Sequence, residues 1–172
     1  MSDEPGRRSG GERLHTWAMG GDDRDYEVLA QGVASAGAVI AGRRTYDASL
    51  PWWGADGPTG SARLPLFVLT HREPDDQPAG GVYRFVTDGL QAALQQARAA
   101  ASDKNVVIMG GAEVGQQFIK AGLVDEIQIH LVPVLFGSGT RMFEHIGDRH
   151  IELEVTEIVD TLAATHVRYR IK

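Results

Sequence analysis

Apolar residues along the chain fall into short continuous runs and into stripes spaced three or four residues apart. The runs at 38–41 (AVIA), 65–70 (PLFVLT) and 105–109 (NVVIM) are too short for buried helices and rich in β-branched residues, which predicts strands covered on both faces. A further short strand is predicted at 83–86. Between the runs lie helical stripes. Leu14, Trp17 and Ala18 predict a short helical segment that breaks at Gly20 and Gly21. Tyr26, Leu29, Ala30 and Val33 form one stripe over 23–36, with Asp22 or Asp23 placed to cap its first turn. Gly32 weakens that helix by up to about 1 kcal/mol relative to alanine. Leu90, Ala93, Leu94, Ala97 and Ala101 make the clearest stripe, introduced by Asp88 and Gln91 as a capping-box pair. Val114, Phe118 and Ala121 predict a helix that closes at Gly122. Residues 125–136 (DEIQIHLVPVLF) start by alternating and then turn apolar at both parities, which predicts one long strand. Two alternating runs, 151–159 and 163–171, flank Asp160, Thr161 and Leu162 as an antiparallel hairpin. The order predicts an α/β fold: a mostly parallel sheet flanked by helices, with an antiparallel C-terminal end.

Chemistry collects where the predicted strands end. In 105–118 (NVVIMGGAEVGQQF) a strand feeds a helix through Gly110 and Gly111, so free N–H groups and a positive dipole end point beyond the sheet. The same pattern serves a phosphate cradle or a tight turn that binds nothing. The run at 38–41 ends in Gly42, Arg43, Arg44 and Thr45: a close-approach glycine, forked donors and a hydroxyl, or an arginine pair on a solvated loop. The run at 65–70 ends in Thr70, His71 and Arg72. Ligands of open α/β sheets gather at such carboxyl ends. Pro51, Trp52, Trp53 and Gly54 open a loop reaching to about Leu64, whose tryptophans pack on the core edge or line a pocket. His130 reads as a surface or cleft-edge strand residue. Gly137, Ser138, Gly139 and Thr140 form a loop that closes over a ligand or merely turns the chain.

Composition narrows the function classes. The 172 residues suit one domain, and a hydrophobic fraction of 42% describes a globular chain. A net charge of −6 argues against a nucleic-acid partner, and without cysteine there is neither a disulfide framework nor a thiolate metal site. No metal is expected. Neither a signal-peptide core nor an apolar run of membrane-spanning length occurs, so the expected location is the cytoplasm and no membrane partner is expected. Residues 1–12 (MSDEPGRRSGGE) are expected to form a flexible tail ahead of a domain over 13–172. No HExxH, CxxC, Walker-type or GxSxG pattern occurs.

The segments GRRTYD at 42–47, LTHRE at 69–73, VTDG at 86–89, IMGGAEVGQQF at 108–118 and GLVDEIQIHLVPVLFGSGTRMF at 122–143 together resemble the dihydrofolate-reductase-like superfamily. Within it the chain is similar to stand-alone domains of the type that forms the C-terminal reductase domain of the riboflavin-pathway deaminase-reductase. The resemblance covers about residues 12–172. It implies NADPH as hydride donor, with Gly110, Gly111, Ala112, Glu113 and Val114 at the pyrophosphate. Gly42, Arg43, Arg44 and Thr45 would lie on the other phosphates, and Thr70, His71 and Arg72 near an adenosine 2′-phosphate. Met109, Trp52, Trp53, Phe136 and Gly137 become substrate-side candidates, and a homodimer is implied. Two departures stand out. The family's first strand, which ends in a Ser-Leu-Asp-Gly pattern and lies between the strands matching 105–109 and 125–134, has no counterpart in 1–12. Its loss leaves two unpaired backbone edges, with impaired stability or activity unless association or rearrangement repairs the sheet. Methionine at position 109 replaces the acidic residue that riboflavin-pathway reductases carry before the Gly-Gly pair, which sets the riboflavin precursor in question as substrate.

Three functions follow. The first is an NADPH-dependent reductase of a small polar or heterocyclic carbonyl or imine. The second is a non-catalytic nucleotide-binding module, and the third a structural homodimer joined through the C-terminal hairpin.

Overall fold

The computed structural model describes residues 11–148 and 150–172. The first ten residues of the expected tail lie outside the described residues, and Gly11–His15 is a 3-10 turn. The elements then run α1 (Thr16–Gly20), α2 (Asp23–Ser35), β1 (Ala36–Gly42), α3 (Arg43–Trp53), a 3-10 segment (Gly57–Ala62), β2 (Leu66–Leu69), β3 (Tyr83–Val86), α4 (Leu90–Ala101), β4 (Asn105–Ile108), α5 (Ala112–Lys120), β5 (Glu126–Leu131), β6 (Leu153–Asp160) and β7 (Thr165–Ile171).

Strands β1 to β4 form a parallel sheet in the order β3-β2-β1-β4. In β1 the period-two alternation sends Ala38 and Ile40 into one core, with Phe67, Phe118 and the α4 stripe of Ala93, Leu94, Ala97 and Ala101. Val39 and Ala41 go into a second core with Tyr46, Leu66 and Val68. A strand buried on both faces has no polar side to show, which is why its sequence is a continuous apolar run. Helix α5 ends in a Schellman arrangement: Leu123 N–H donates to the Phe118 carbonyl at 3.0 Å and Gly122 N–H to the Ile119 carbonyl at 3.0 Å, with Gly122 at φ 68°.

Strands β5 to β7 form a separate antiparallel sheet in the order β5-β7-β6. The antiparallel C-terminal end expected from the sequence is a sheet of its own. The open places are the expected ones: the parallel sheet stops at β4, the antiparallel sheet starts at β5, and among the described residues no strand joins them. Side chains link the two instead. Trp17 and Val28 pack with Val132 and Ala164 in a third core, and Arg24 Nη1 donates to the Asp160 carbonyl at 2.9 Å.

Several local expectations need correction. Helix α2 is rotated from the predicted stripe: Asp25 and Val28 are buried while Tyr26 and Leu29 are exposed, because a buried partner on β7 holds the Asp25 carboxylate. Asp22 is its cap, in a capping box with Asp25. Asp88 does not cap α4. The helix starts at Leu90 behind Gly89, whose φ of 89° turns the chain before the first helical residue. The long strand predicted over 125–136 ends at Leu131, close to Pro133, which has no N–H for a ladder. Helix α3 carries Pro51 in its last turn and takes in both tryptophans, so the predicted loop opens only at Gly54.

Candidate active site at the strand ends

Because β1, β2 and β4 are parallel, their carboxyl ends open on the same side of the sheet. Strand β1 runs through Gly42 directly into α3, and β4 runs through Met109, Gly110 and Gly111 into α5. Neither helix start has a side-chain cap. The first N–H groups of both helices therefore lack the partners that helix geometry denies them, and two positive dipole ends sit on neighbouring strands.

Thr45 ties the two turns together. Gly111 N–H donates to Thr45 Oγ1 at 3.1 Å, leaving the hydroxyl proton available to a ligand. Gly110 has φ 100°, and a Cβ there would stand 2.5 Å from Thr45 Oγ1 and Cγ2. At Gly42 a Cβ would meet Val114 Cγ2 at 2.7 Å, so Val114 is a packing residue that fixes how closely the helices approach. At Gly111 the nearest atom is 3.7 Å away, which is ordinary contact.

Arg43 joins the β1 and β2 ends. Its Nε donates to Asp47 Oδ1 at 2.7 Å, and its Nη1 donates to the Arg72 carbonyl at 2.9 Å and to Thr70 Oγ1 at 3.4 Å. The guanidinium is thereby held in one orientation with its second amino group free of these bonds. Thr70 Oγ1 donates to the Arg72 carbonyl at 2.7 Å and accepts from Arg72 N–H at 3.3 Å, so this hydroxyl shapes its own turn. Arg44 bonds the Glu113 carboxylate across the two helix starts. The Glu113 side chain thus competes with an incoming anion for Arg44, and this residue offers an anion only its backbone N–H. His71 and Arg72 are exposed, and Ala112 is half-buried in the first turn of α5.

The substrate-side candidates are less convergent. Met109 and Trp53 pack against the second core, beside Tyr46. Trp52 is 73% exposed and Phe136 44% exposed, and Gly137 sits in an exposed turn at φ 72°. Gln116, which the sequence reading passed over, fastens the loop after Gly137 to α5: its Nε2 donates to the Arg141 carbonyl at 2.9 Å and the Met142 carbonyl at 3.1 Å. A buried glutamine on the inner face of an amphipathic helix was the available signal. Tyr46 has a buried hydroxyl without a hydrogen-bond partner among the described residues, and burial first, then Asp47, pushes its pKa up against the opposing effect of Arg43. It remains a neutral phenol.

His130 has partners that alternation along its strand does not show. It is half-buried under α1, stacked on Trp17 with ring centroids 4.2 Å apart, and its Nδ1 is 2.6 Å from Nδ1 of His166. The Nε2 of His166 lies 2.8 Å from Asp25 Oδ1, and Thr161 Oγ1 donates to the same oxygen at 2.8 Å. This chain of side chains is away from the strand ends. Two recesses, of about 340 Å³ beside Gly21, Asp25 and Leu162 and about 220 Å³ beside Arg63, Val82 and Tyr83, also lie apart from them. Among the described residues no group of histidine, aspartate and glutamate is arranged to hold a metal, and no helix is long and apolar enough to cross a membrane.

Comparison with known proteins places this geometry. Residues 6–167 match the family model described as the RibD C-terminal domain. A protein from Shewanella sp. PV-4 assigned to riboflavin biosynthesis is similar at TM-score 0.66 and 24% identity, over 89% of this chain and 82% of that one. A pyrimidine reductase-like protein from Corynebacterium diphtheriae is similar at TM-score 0.64 and 15% identity, over 96% and 86%. The diaminohydroxyphosphoribosylaminopyrimidine deaminase/5-amino-6-(5-phosphoribosylamino)uracil reductase of Thermotoga maritima is similar at TM-score 0.62 and 15% identity, over 88% of this chain. This chain spans about half of that protein, covering 50% of it. No curated protein matches the chain. These identities speak for the fold, which is dihydrofolate-reductase-like.

Proposed function

Because the chain belongs to the RibD C-terminal domain family, whose members are reductases, we propose that it is an NADPH-dependent reductase of a small polar or heterocyclic carbonyl or imine. The observation that carries this reading is the pair of uncapped helix starts on β1 and β4, with Arg43 and Arg44 beside them. Phosphate oxygens would satisfy the first-turn N–H groups that no side chain caps, and the dipole ends favour their charge. Gly110, Gly111, Ala112 and the Glu113 N–H would take the pyrophosphate, and Thr45 and Arg43 the neighbouring phosphate oxygens. His71 and Arg72, exposed at the β2 end, would meet a 2′-phosphate. NADPH supplies the hydride; the chain's own part is to orient it and to exclude water from its reacting face. Met109 cannot accept the hydrogen bonds of a carboxylate, which argues for a substrate other than the ribosylaminouracil named for the Thermotoga protein.

Fluorescence titration tests this. NADPH is expected to bind in the micromolar range and NADH at least about tenfold more weakly, since one charge-assisted contact contributes about 1.5–3 kcal/mol. Arg43→Ala is expected to weaken NADPH by a similar factor. Neither nucleotide binding below millimolar would end the cofactor assignment. Tight NADPH binding without oxidation across a carbonyl panel would favour the non-catalytic module.

One observation supports association as well. The β5-β7-β6 register puts Ile127, Tyr169 and Val155 on one face with Ile129, Val167 and Ile158, while Glu126, Gln128, Arg168, Arg170, Glu154 and Glu157 point the other way. None of the apolar set belongs to the three cores, and Val155 and Ile158 are 53% and 60% exposed. Two copies packing these faces together would cover them. Ile158→Glu is then expected to turn a dimer into a monomer in light scattering while NADPH binding persists; an unchanged mass would reject this interface.

A further inference from the structure

The Asp25–His166–His130 chain is built differently from an ordinary buried ion pair, because two histidine rings meet through like atoms. At 2.6 Å their facing Nδ1 atoms accommodate one proton. His166 donates from Nε2 to the Asp25 carboxylate, so in the neutral pair its Nδ1 is the acceptor and His130 Nδ1 the donor. Adding a proton to His166, next to Asp25, reverses that bond without breaking it. Adding one to each ring sets two N–H groups against each other, and the contact fails.

This contact also has an unusual mechanical position. Asp25 is on α2, which continues directly into β1 of the parallel sheet, while His130 and His166 face each other across β5 and β7 of the antiparallel sheet. Trp17 of α1 closes the site, stacked on His130 and edge-on to His166 at 4.9 Å. With no strand pairing between the sheets among the described residues, these side chains are a principal link between them.

We propose that Asp25, His166, His130 and Trp17 form an acid-operated strut, which holds α1 and α2 on the antiparallel sheet while the facing Nδ1 atoms share one proton and releases them when each carries its own.

The charged surroundings favour such a threshold. From α2 the anion facing His166 is Asp25, whose oxygens also accept from Thr161 and from the Asp22 N–H. From α1 the uncharged Trp17 faces both rings. On the β6–β7 turn Asp160 is engaged by Thr165 at 2.8 Å and Arg24 points to the Asp160 carbonyl. Val28, Val132, Val159 and Ala164 supply the apolar remainder. Among the described residues His130 bonds no carboxylate of its own. Burial, with His166 adding repulsion, pushes His130 from 6.5 down to about 4. An unfolded or released ring takes a proton more readily than the docked one, so docking is fully favoured above the ordinary histidine value and loses strength as pH falls from there to about 4. For a ring still partly exposed, the released-to-docked ratio is expected to rise by roughly tenfold to a hundredfold across that window.

The strut is read through Trp17 in a Trp52→Phe, Trp53→Phe background. Its emission is expected to change with a midpoint between pH 4 and 6 while far-UV circular dichroism keeps the helix and sheet signal. His130→Asn keeps an uncharged amide near the Nδ1 position, and this variant is expected to lose the transition. Nitrogen-15 spectra of the unsubstituted protein give a second measure: His130 is expected to carry its proton on Nδ1 at neutral pH and to stay uncharged down to about pH 5. Ordinary titration of His130 near 6.5, an acid transition surviving in His130→Asn, or Trp17 emission that moves only with global unfolding would overturn the proposal.

Discussion

Asp25→Ala is expected to lower the unfolding free energy by about 3–5 kcal/mol, because removing one member of a buried ionic network leaves the others unpaired. The carboxylate is fully buried and takes hydrogen bonds from His166, Thr161 and the Asp22 N–H. Alanine strands the His166 Nε2–H in a site 2% exposed and also removes half of the α2 capping box. For a chain of this length the midpoint of thermal unfolding should fall by roughly 10 °C, which circular dichroism would show. A change within about 1 kcal/mol would mean that His166 finds another acceptor. The pH dependence has a definite sign. Burial alone raises the Asp25 pKa, but the hydrogen bonds from His166, Thr161 and Asp22 and the charge of His166 together hold it below 3.8. The Asp25 contribution is therefore present above the ordinary carboxylate range and is lost as pH falls below it.

Gly110→Ala should remove nucleotide binding and stability together. At φ 100° an L-residue is strained by about 1–3 kcal/mol, and the new methyl would stand 2.5 Å from Thr45, displacing the hydroxyl that holds Gly111 N–H. NADPH affinity is expected to fall at least about tenfold, measured beside the thermal midpoint. Gly111→Ala is the informative contrast, because its φ is −63° and its nearest neighbour is 3.7 Å away. The protein itself accommodates a methyl there, so stability should change by less than about 0.5 kcal/mol. Loss of NADPH affinity in Gly111→Ala would then report a phosphate lying close to the backbone. Unchanged affinity in both variants would leave the Gly-Gly pair as a packing turn.

The elements legible in the sequence were those whose burial is total or whose period is clean. The runs in β1 and β2 have no exposed face to confuse the pattern, and the Ala93, Leu94, Ala97 and Ala101 stripe has one core to face. The strand-end residues were legible for a similar reason: parallel strands put their carboxyl ends together whatever the details of pairing. Asp25 was not legible, since with Asp22 and Asp23 it makes three aspartates at a helix start, and each reads as a solvated or capping residue. Its partner is 141 residues away, and only the folded chain shows that α2 turns this residue inward. The partners of His130 were not legible either, because alternation along β5 tells which face a residue takes but not that Trp17 stacks on that face. The end of β5 at Leu131 was overrun because the apolar run through Val132 and Val134 outweighed the signal of Pro133.

The separation of the two sheets also has a consequence for how the molecule comes together. Every pairing in the parallel sheet is drawn from residues 36–108, and every pairing in the antiparallel sheet from residues 126–171. Each sheet is a contiguous stretch of chain and has what a cooperative folding unit needs. The contacts between them, above all Asp25 with His166, close loops longer than any within either sheet and gain most once both surfaces exist. Folding of this chain is then two local problems followed by one docking step, and the docking step is the one that acid reverses.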